Sequence, residues 1–233
     1  MATYLLINFF TVLIPLALSF ENRIRYYSRW KALFPAIFVT ALVFIAWDIC
    51  FTRWGIWGFN PAYLLNIHVS VLPLEEVLFF ICIPFACLFI YELVCYFDRD
   101  QILQSAVKPL TYGFIVFLLV TALLNPARTY TLVTFMALGV YFFIHAFMMP
   151  VRYMAHFYLM YFISVIPFLL VNGLLTNGLP AVDPGPVVWY NPAEILGLRL
   201  IGIPLEDFFY SMLLLLINVS LYETFKKYLF NPK

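Results

Sequence analysis

Four of the twelve acidic residues of this chain stand in two adjacent pairs, Glu75-Glu76 and Glu206-Asp207, each directly after a Pro-Leu dipeptide and at the head of an apolar run. Two neighbouring carboxyls in a water-poor setting resist double ionisation, so one tends to keep a proton near neutral pH. A helix start pulls the other way, because its dipole favours the anion. Proline suits the first turn of such a helix, where its missing N–H costs nothing. Successive helical positions point about 100° apart, so one acid can face a cavity while its neighbour holds it in place. A retained proton beside an apolar cavity makes a general acid, or a proton-coupling site in a carrier. The residues that follow, Phe79 and Phe80, then Phe208, Phe209 and Tyr210, offer ring faces to a cation or pack between helices.

The pairs belong to a longer repeated segment. Asn60-Pro61-Ala62, ten residues and Pro73-Leu74-Glu75-Glu76 lead into a run that ends in Tyr91-Glu92. Asn191-Pro192-Ala193, ten residues and Pro204-Leu205-Glu206-Asp207 lead into a run that ends in Tyr222-Glu223, 131 positions on and without a gap. A chain that carries one device twice does one thing twice, or acts on a substrate with two like ends.

The elements that position these acids are set by composition. The 233 residues are 65% hydrophobic and 11% charged, which identifies an integral membrane protein and excludes a soluble domain. The net charge of +1 says nothing about nucleic acid, but no lysine or arginine run reads as a nucleic-acid patch, so no nucleic-acid partner is expected. Apolar runs long enough to span fall at roughly 4–20, 32–51, 71–95, 109–124, 131–148, 154–175 and 203–225. The expected fold is therefore an all-α membrane protein with seven transmembrane helices. The first run has neither a basic leader nor a cleavage site and reads as retained. Arg23, Arg25, Arg29, Lys31, Arg99, Lys108, Arg152, Lys226, Lys227 and Lys233 fall on one side of these spans, against Arg53, Arg128 and Arg199 on the other. The positive-inside rule then places the N-terminus outside and the C-terminus in the cytoplasm. One membrane domain covers 1–233, built as a 3+1+3 parallel repeat: helices 1–3 in 1–96, a linker with helix 4 in 97–130, and helices 5–7 in 131–233. A cavity between such halves is the natural place for a site.

Other groups read less sharply. Asp48 either pairs with Arg53 or joins the site. His68 and Arg199 share a repeat position and stand where either can meet an acid. Glu92 and Glu223 are expected in solvent at the inner edge. The loops at 52–70 and 176–202, with Trp54, Trp57, Phe59, Tyr63, Trp189 and Tyr190, form an interfacial belt or an aromatic lining. Cys50, Cys82, Cys87 and Cys95 are expected as apolar fillers, and no metal site is expected. No dinucleotide fingerprint or P-loop occurs, so no cofactor is encoded by a recognisable motif.

The two Pro-Leu-acid-acid motifs with their phenylalanines, and the stretch from Trp47-Asp48 through Gly55-Ile56-Trp57-Gly58-Phe59-Asn60-Pro61, closely resemble the integral-membrane lycopene cyclases. The resemblance covers nearly the whole chain. Both halves are present, as in the fused form of the two-subunit bacterial and archaeal enzymes, and similar to the cyclase domain of fungal bifunctional enzymes. It implies an isomerase of carotenoid biosynthesis in the cell membrane, in bacteria the inner membrane. The linear ψ-ends of lycopene would close to β-ionone rings, giving γ-carotene and then β-carotene. Lycopene, the monocyclic carotene, membrane lipid and other carotenoid enzymes are the partners it implies, and a flavin requirement is left open. By motif match Glu75, Glu76, Glu206 and Asp207 are the expected catalytic acids. Asp48, Trp57, Asn60, Phe79, Phe80, Asn191, Phe208 and Phe209 are the expected substrate contacts. The other reading of the same pattern is a 3+1+3 carrier of small solutes. The resemblance implies that Glu75→Gln or Glu206→Gln lowers turnover while the chain still inserts.

Overall fold

The computed structural model describes residues 3–148, 151–178 and 185–230. The side chain of Arg152, Lys233 and the loop segment 179–184 lie outside these residues. Seven α-helices carry the fold: α1 (Thr3–Leu18), α2 (Trp30–Arg53), α3 (Leu74–Phe97), α4 (Val107–Leu124), α5 (Thr129–Met148), α6 (Val151–Asn177) and α7 (Leu205–Phe230). A helix satisfies its own backbone, which a segment in lipid must do. The six helices α2 to α7 are long and apolar enough to cross a bilayer, whereas α1, with 16 residues, is shorter. Large apolar side chains stand outward on these helices, among them Phe10, Phe38, Val116, Leu123 and Leu170. Such a surface belongs in lipid.

Helices α3 and α7 form the centre. α1 packs on α3 and α5 on α7, while α2 lies against α7 and α6 against α3, so the two ends of the chain interlock. Helix α4 lies mainly on α5. Phe44, Phe80, Leu88, Phe135, Phe142, Phe157 and Leu216 fill the interior.

The segments before α3 and α7 fold alike. Strands β2 (His68–Val69) and β3 (Leu72–Pro73) make a tight hairpin, and so do β5 (Arg199–Leu200) and β6 (Ile203–Pro204). Each turn needs a left-handed residue, Ser70 in the first and Ile201-Gly202 in the second. The sequence pattern puts the helix starts at 71 and 203; the hairpins take up these residues instead. Pro73 accordingly stands one place ahead of α3, in extended conformation (φ −63°, ψ 149°), and not inside its first turn.

Residues 131 positions apart pair reciprocally. Strand β1 (Trp57–Phe59) runs antiparallel to β4 (Val188–Tyr190), with Gly58 opposite Trp189. The Asn60 N–H donates to the Val187 carbonyl and the Asn191 N–H to that of Ile56. At the far end of the bundle the Tyr91 hydroxyl donates to Glu223, and the Tyr222 hydroxyl to Glu92, at 3.2 and 2.6 Å. Lys226 lies 2.8 Å from Glu92 and 3.2 Å from Glu223. Glu92 is therefore buried and not in solvent as expected, because Tyr222 and Lys226 replace the water its charge would need.

A methyl group at Gly58 would overlap the Trp189 indole. Gly58→Ala is expected to lower the thermal midpoint in detergent, and Trp189→Ala in the same chain to restore most of the loss. A double variant no better than Gly58→Ala would show that the crossing of β1 and β4 does not set this cost.

Candidate active site

The two acids of each pair divide the work. The Glu75 carboxylate turns back to its own loop, where Oε1 accepts the Leu65 N–H at 2.7 Å. Glu206 does the same with the Leu196 N–H at 2.6 Å and also accepts the Thr131 hydroxyl at 2.6 Å. Both side chains are fully buried, and in each the second oxygen has no partner among the described residues. These glutamates fasten the loop to the head of α3 or α7. A hydrogen bond between a carboxylate and a backbone N–H is among the stronger kinds.

Glu76 and Asp207, one position on, face a common cavity of about 650 Å³. Glu76 Oε2 accepts the Tyr4 hydroxyl at 2.5 Å. Asp207 accepts three donors: the hydroxyls of Tyr130 and Tyr190, each at 2.7 Å, and the Asn172 amide at 3.1 Å. Tyr190 lies in β4, outside the helices. Burial, then the Asp207 carboxylate, push its phenol well above the ordinary value, so it stays a donor. Asp48 lines the same cavity. Its Oδ1 accepts the Trp57 indole N–H at 2.5 Å, and its Oδ2 is buried without a partner among the described residues. Arg53, the other partner considered for Asp48, donates instead to Ser70.

Aromatic rings join the three acids. The Trp57 ring lies 4.9 Å from that of Tyr130 and 5.9 Å from that of Tyr210. Tyr210 also packs on Phe44 and Trp47, at 5.1 and 5.5 Å. Its hydroxyl is buried and unpaired among the described residues. Ring faces at this range suit a passing positive charge.

Below the acids the cavity becomes an apolar groove, each wall of which is a stripe at helical spacing. Helix α1 gives Tyr4, Ile7, Thr11 and Ile14; α3 gives Glu76, Phe79, Ile83, Ala86 and Ile90. Helix α6 gives Tyr161, Ser164, Phe168, Asn172 and Leu175; α7 gives Asp207, Tyr210, Leu214 and Leu215. From Glu76 to Ile90 the groove runs about 21 Å at 1.5 Å per residue. An apolar channel with polar groups gathered at one end has the shape to hold a long apolar molecule with its tip against those groups.

The remaining expected contacts separate accordingly. Trp57, Phe79 and Asp48 line the cavity. Phe80 is buried against Phe44, Phe208 packs on Phe168, and Phe209 lies among Phe114, Phe117 and Phe135. Asn60 and Asn191 accept the Ala62 and Ala193 N–H groups, each at 3.1 Å, and so shape the loops. His68 and Arg199 are exposed; Arg199 donates to the Gly202 carbonyl and lies over the Tyr190 ring. The loop aromatics divide too: Phe59 and Tyr190 line the cavity, whereas Trp54 and Trp189 face outward. Sequence reasoning missed Tyr4, Tyr130 and Asn172 as partners of the acids. The signal was slight, a tyrosine near the head of α1 and another near that of α5, with one asparagine inside apolar α6.

A protein-family model described as lycopene cyclase matches residues 1–94 and 127–225. No curated protein and no solved structure matches the chain.

Glu75→Ala and Glu206→Ala leave a backbone N–H unpaired, at a cost of about 1–3 kcal/mol each. Both are expected to lower the thermal midpoint, while Glu75→Gln, which keeps an acceptor, holds most of it. Wild-type stability in both alanine variants would remove the fastening role.

Proposed function

Because the chain belongs to the lycopene cyclase family, whose members are enzymes of carotenoid biosynthesis, we propose that Glu76, Asp48 and Asp207 carry its reaction. The enzyme closes the linear ends of lycopene to β-ionone rings. The observation that carries this assignment of residues is that acids from distant parts of the chain meet at the head of one apolar groove.

The hydrogen bonds divide the roles. Asp207, with three donors, is arranged to be a carboxylate and takes up a proton at the end of the reaction. Glu76 and Asp48 have one donor each and line the same cavity, so the proton that starts the reaction is assigned to this pair. That proton adds to the terminal double bond and leaves a tertiary cation. The neighbouring alkene attacks it, a ring C–C bond forms, and a ring proton passes to Asp207. Trp57 and Tyr210 present ring faces to the cation between these steps. For the substrate, proton gain equals proton loss, so no electron acceptor is needed, and the proton on Asp207 returns to the Glu76–Asp48 pair before the next turnover. Glu75 and Glu206 act by holding the loops.

The finer architecture belongs to the same reading. Helix α1 is a seventh span, shorter than the roughly 30 Å apolar layer but able to cross where the bilayer thins or its flanks snorkel. Its outward face, Phe9, Phe10, Leu13 and Ile14, supports this. The N-terminus then lies outside, the acids lie near the outer face, and the reciprocal pairings reflect a 3+1+3 repeat with halves 1–96 and 131–233 around the linker 97–130. The bias of basic residues supports a cell membrane with the C-terminus inside. Lipid contacts and other carotenoid enzymes as partners follow from the substrate, which dissolves only in the bilayer.

Expressed in a bacterium that accumulates lycopene, the wild type is expected to convert it to cyclic carotenes seen by liquid chromatography. Glu76→Gln and Asp207→Asn are expected to cut conversion by about 10²-fold or more, the range for loss of a general acid or base. Glu75→Gln is expected to stay near wild type. The opposite ranking, with all variants inserted to equal levels, would return the chemistry to Glu75 and Glu206.

A further inference from the structure

Lycopene has two identical ends, and the chain has two similar acidic motifs, which suggests one site per end. The geometry points elsewhere. Resting on the cyclase reading, we propose that the protein has a single reaction groove, open to lipid between α1 and α6, that takes one end at a time, so that the monocyclic carotene leaves and returns reversed for its second ring.

Three observations carry this. First, equivalent residues of the two motifs do not separate into two sites. Glu76 and Asp207 line one cavity, and so do the equivalent residues Phe59 and Tyr190, and Trp57 and Val188, brought together because Trp57 pairs with Tyr190 and Phe59 with Val188 across the β1–β4 crossing. The acids sit on the line about which the halves exchange. Second, the groove leads away from that line on one side only. Its walls come from α1, α3, α6 and α7, whereas α2 and α5 lend it Asp48 and Tyr130 alone. On the other side of Tyr210 the space holds packed rings: Phe44, Trp47 and Phe51, with centroids 5.8 and 5.5 Å apart along the series. Third, the mouth is lined by side chains that face outward as well. Leu6, Phe10 and Ile14 of α1 are 54–65% exposed, and Leu170 of α6 is 68% exposed. A long polyene can therefore lay one end against the acids while the rest of its length stays in the bilayer. With all three acids at one end of one groove, the distal end has no acid to meet until the molecule turns round.

The test uses purified full-length protein in lipid vesicles loaded with a large molar excess of lycopene. Monocyclic carotene is expected to build up to many equivalents of the protein before bicyclic carotene appears, and added monocyclic carotene is expected to be converted in turn. Bicyclic product from the first turnover, with monocyclic carotene never exceeding one equivalent, would overturn the proposal, as would a wild type that stops at one ring. Ala86→Phe, which fills the groove wall away from the acids, gives an independent reading. Both ring closures should fall by the same factor; a variant that accumulates monocyclic carotene as its end product would reveal a second site. No cyclic carotene at all from membrane-inserted wild type would overturn the cyclase reading, and this inference with it.

Discussion

A carboxylate removed from water must find its donors in the protein, and in an apolar bundle few are on offer. Five of the buried acids obtain theirs from other elements. Glu75 and Glu206 take N–H groups from the loops, Glu76 takes a hydroxyl from α1, Asp207 takes donors from α5, α6 and β4, and Asp48 takes the indole of β1. Each bond fixes a helix head or a loop relative to α3 or α7. The need to solvate charge thus sets the position of α1 and α5, which apolar packing between lipid-like surfaces would leave free to slide.

The bundle is tied at both ends by exchanges between distant segments. At one end β1 crosses β4 and each neighbouring asparagine donates to the opposite strand's approach. At the other, Tyr91 and Tyr222 swap hydroxyl bonds with Glu223 and Glu92, and Lys226 balances the charge. Between these ties the interior is mostly rings and leucines, so the groove has firm walls on α3 and α7 and an open side toward lipid.

Much of this was legible in the sequence. Hydropathy gave every helix to within a few residues, because a spanning segment has little freedom in length. The acid pairs pointed to the candidate site by their cost in apolar surroundings, and one member of each lines the cavity. Which member of each pair faces the cavity was not legible, because two adjacent helix positions differ only by a rotation that the rest of the fold decides. Glu75 turns to Leu65 only because the hairpin of β2 and β3 brings that N–H within reach. Tyr4 and Tyr130 were hidden for a related reason: an aromatic near a helix head reads equally as an interfacial anchor. Glu92 misled because an acid near a helix end is commonly solvated, and its partners lie 130 and 134 positions away.

The meeting of Glu76 and Asp207 in one cavity has a genetic consequence. Two near-copies of a segment inside one gene ordinarily provide a spare, and one copy can decay under relaxed selection. Here neither copy is a spare, since each contributes a different wall and a different acid to the same space. A change that displaces either acid alters the one cavity that both motifs line.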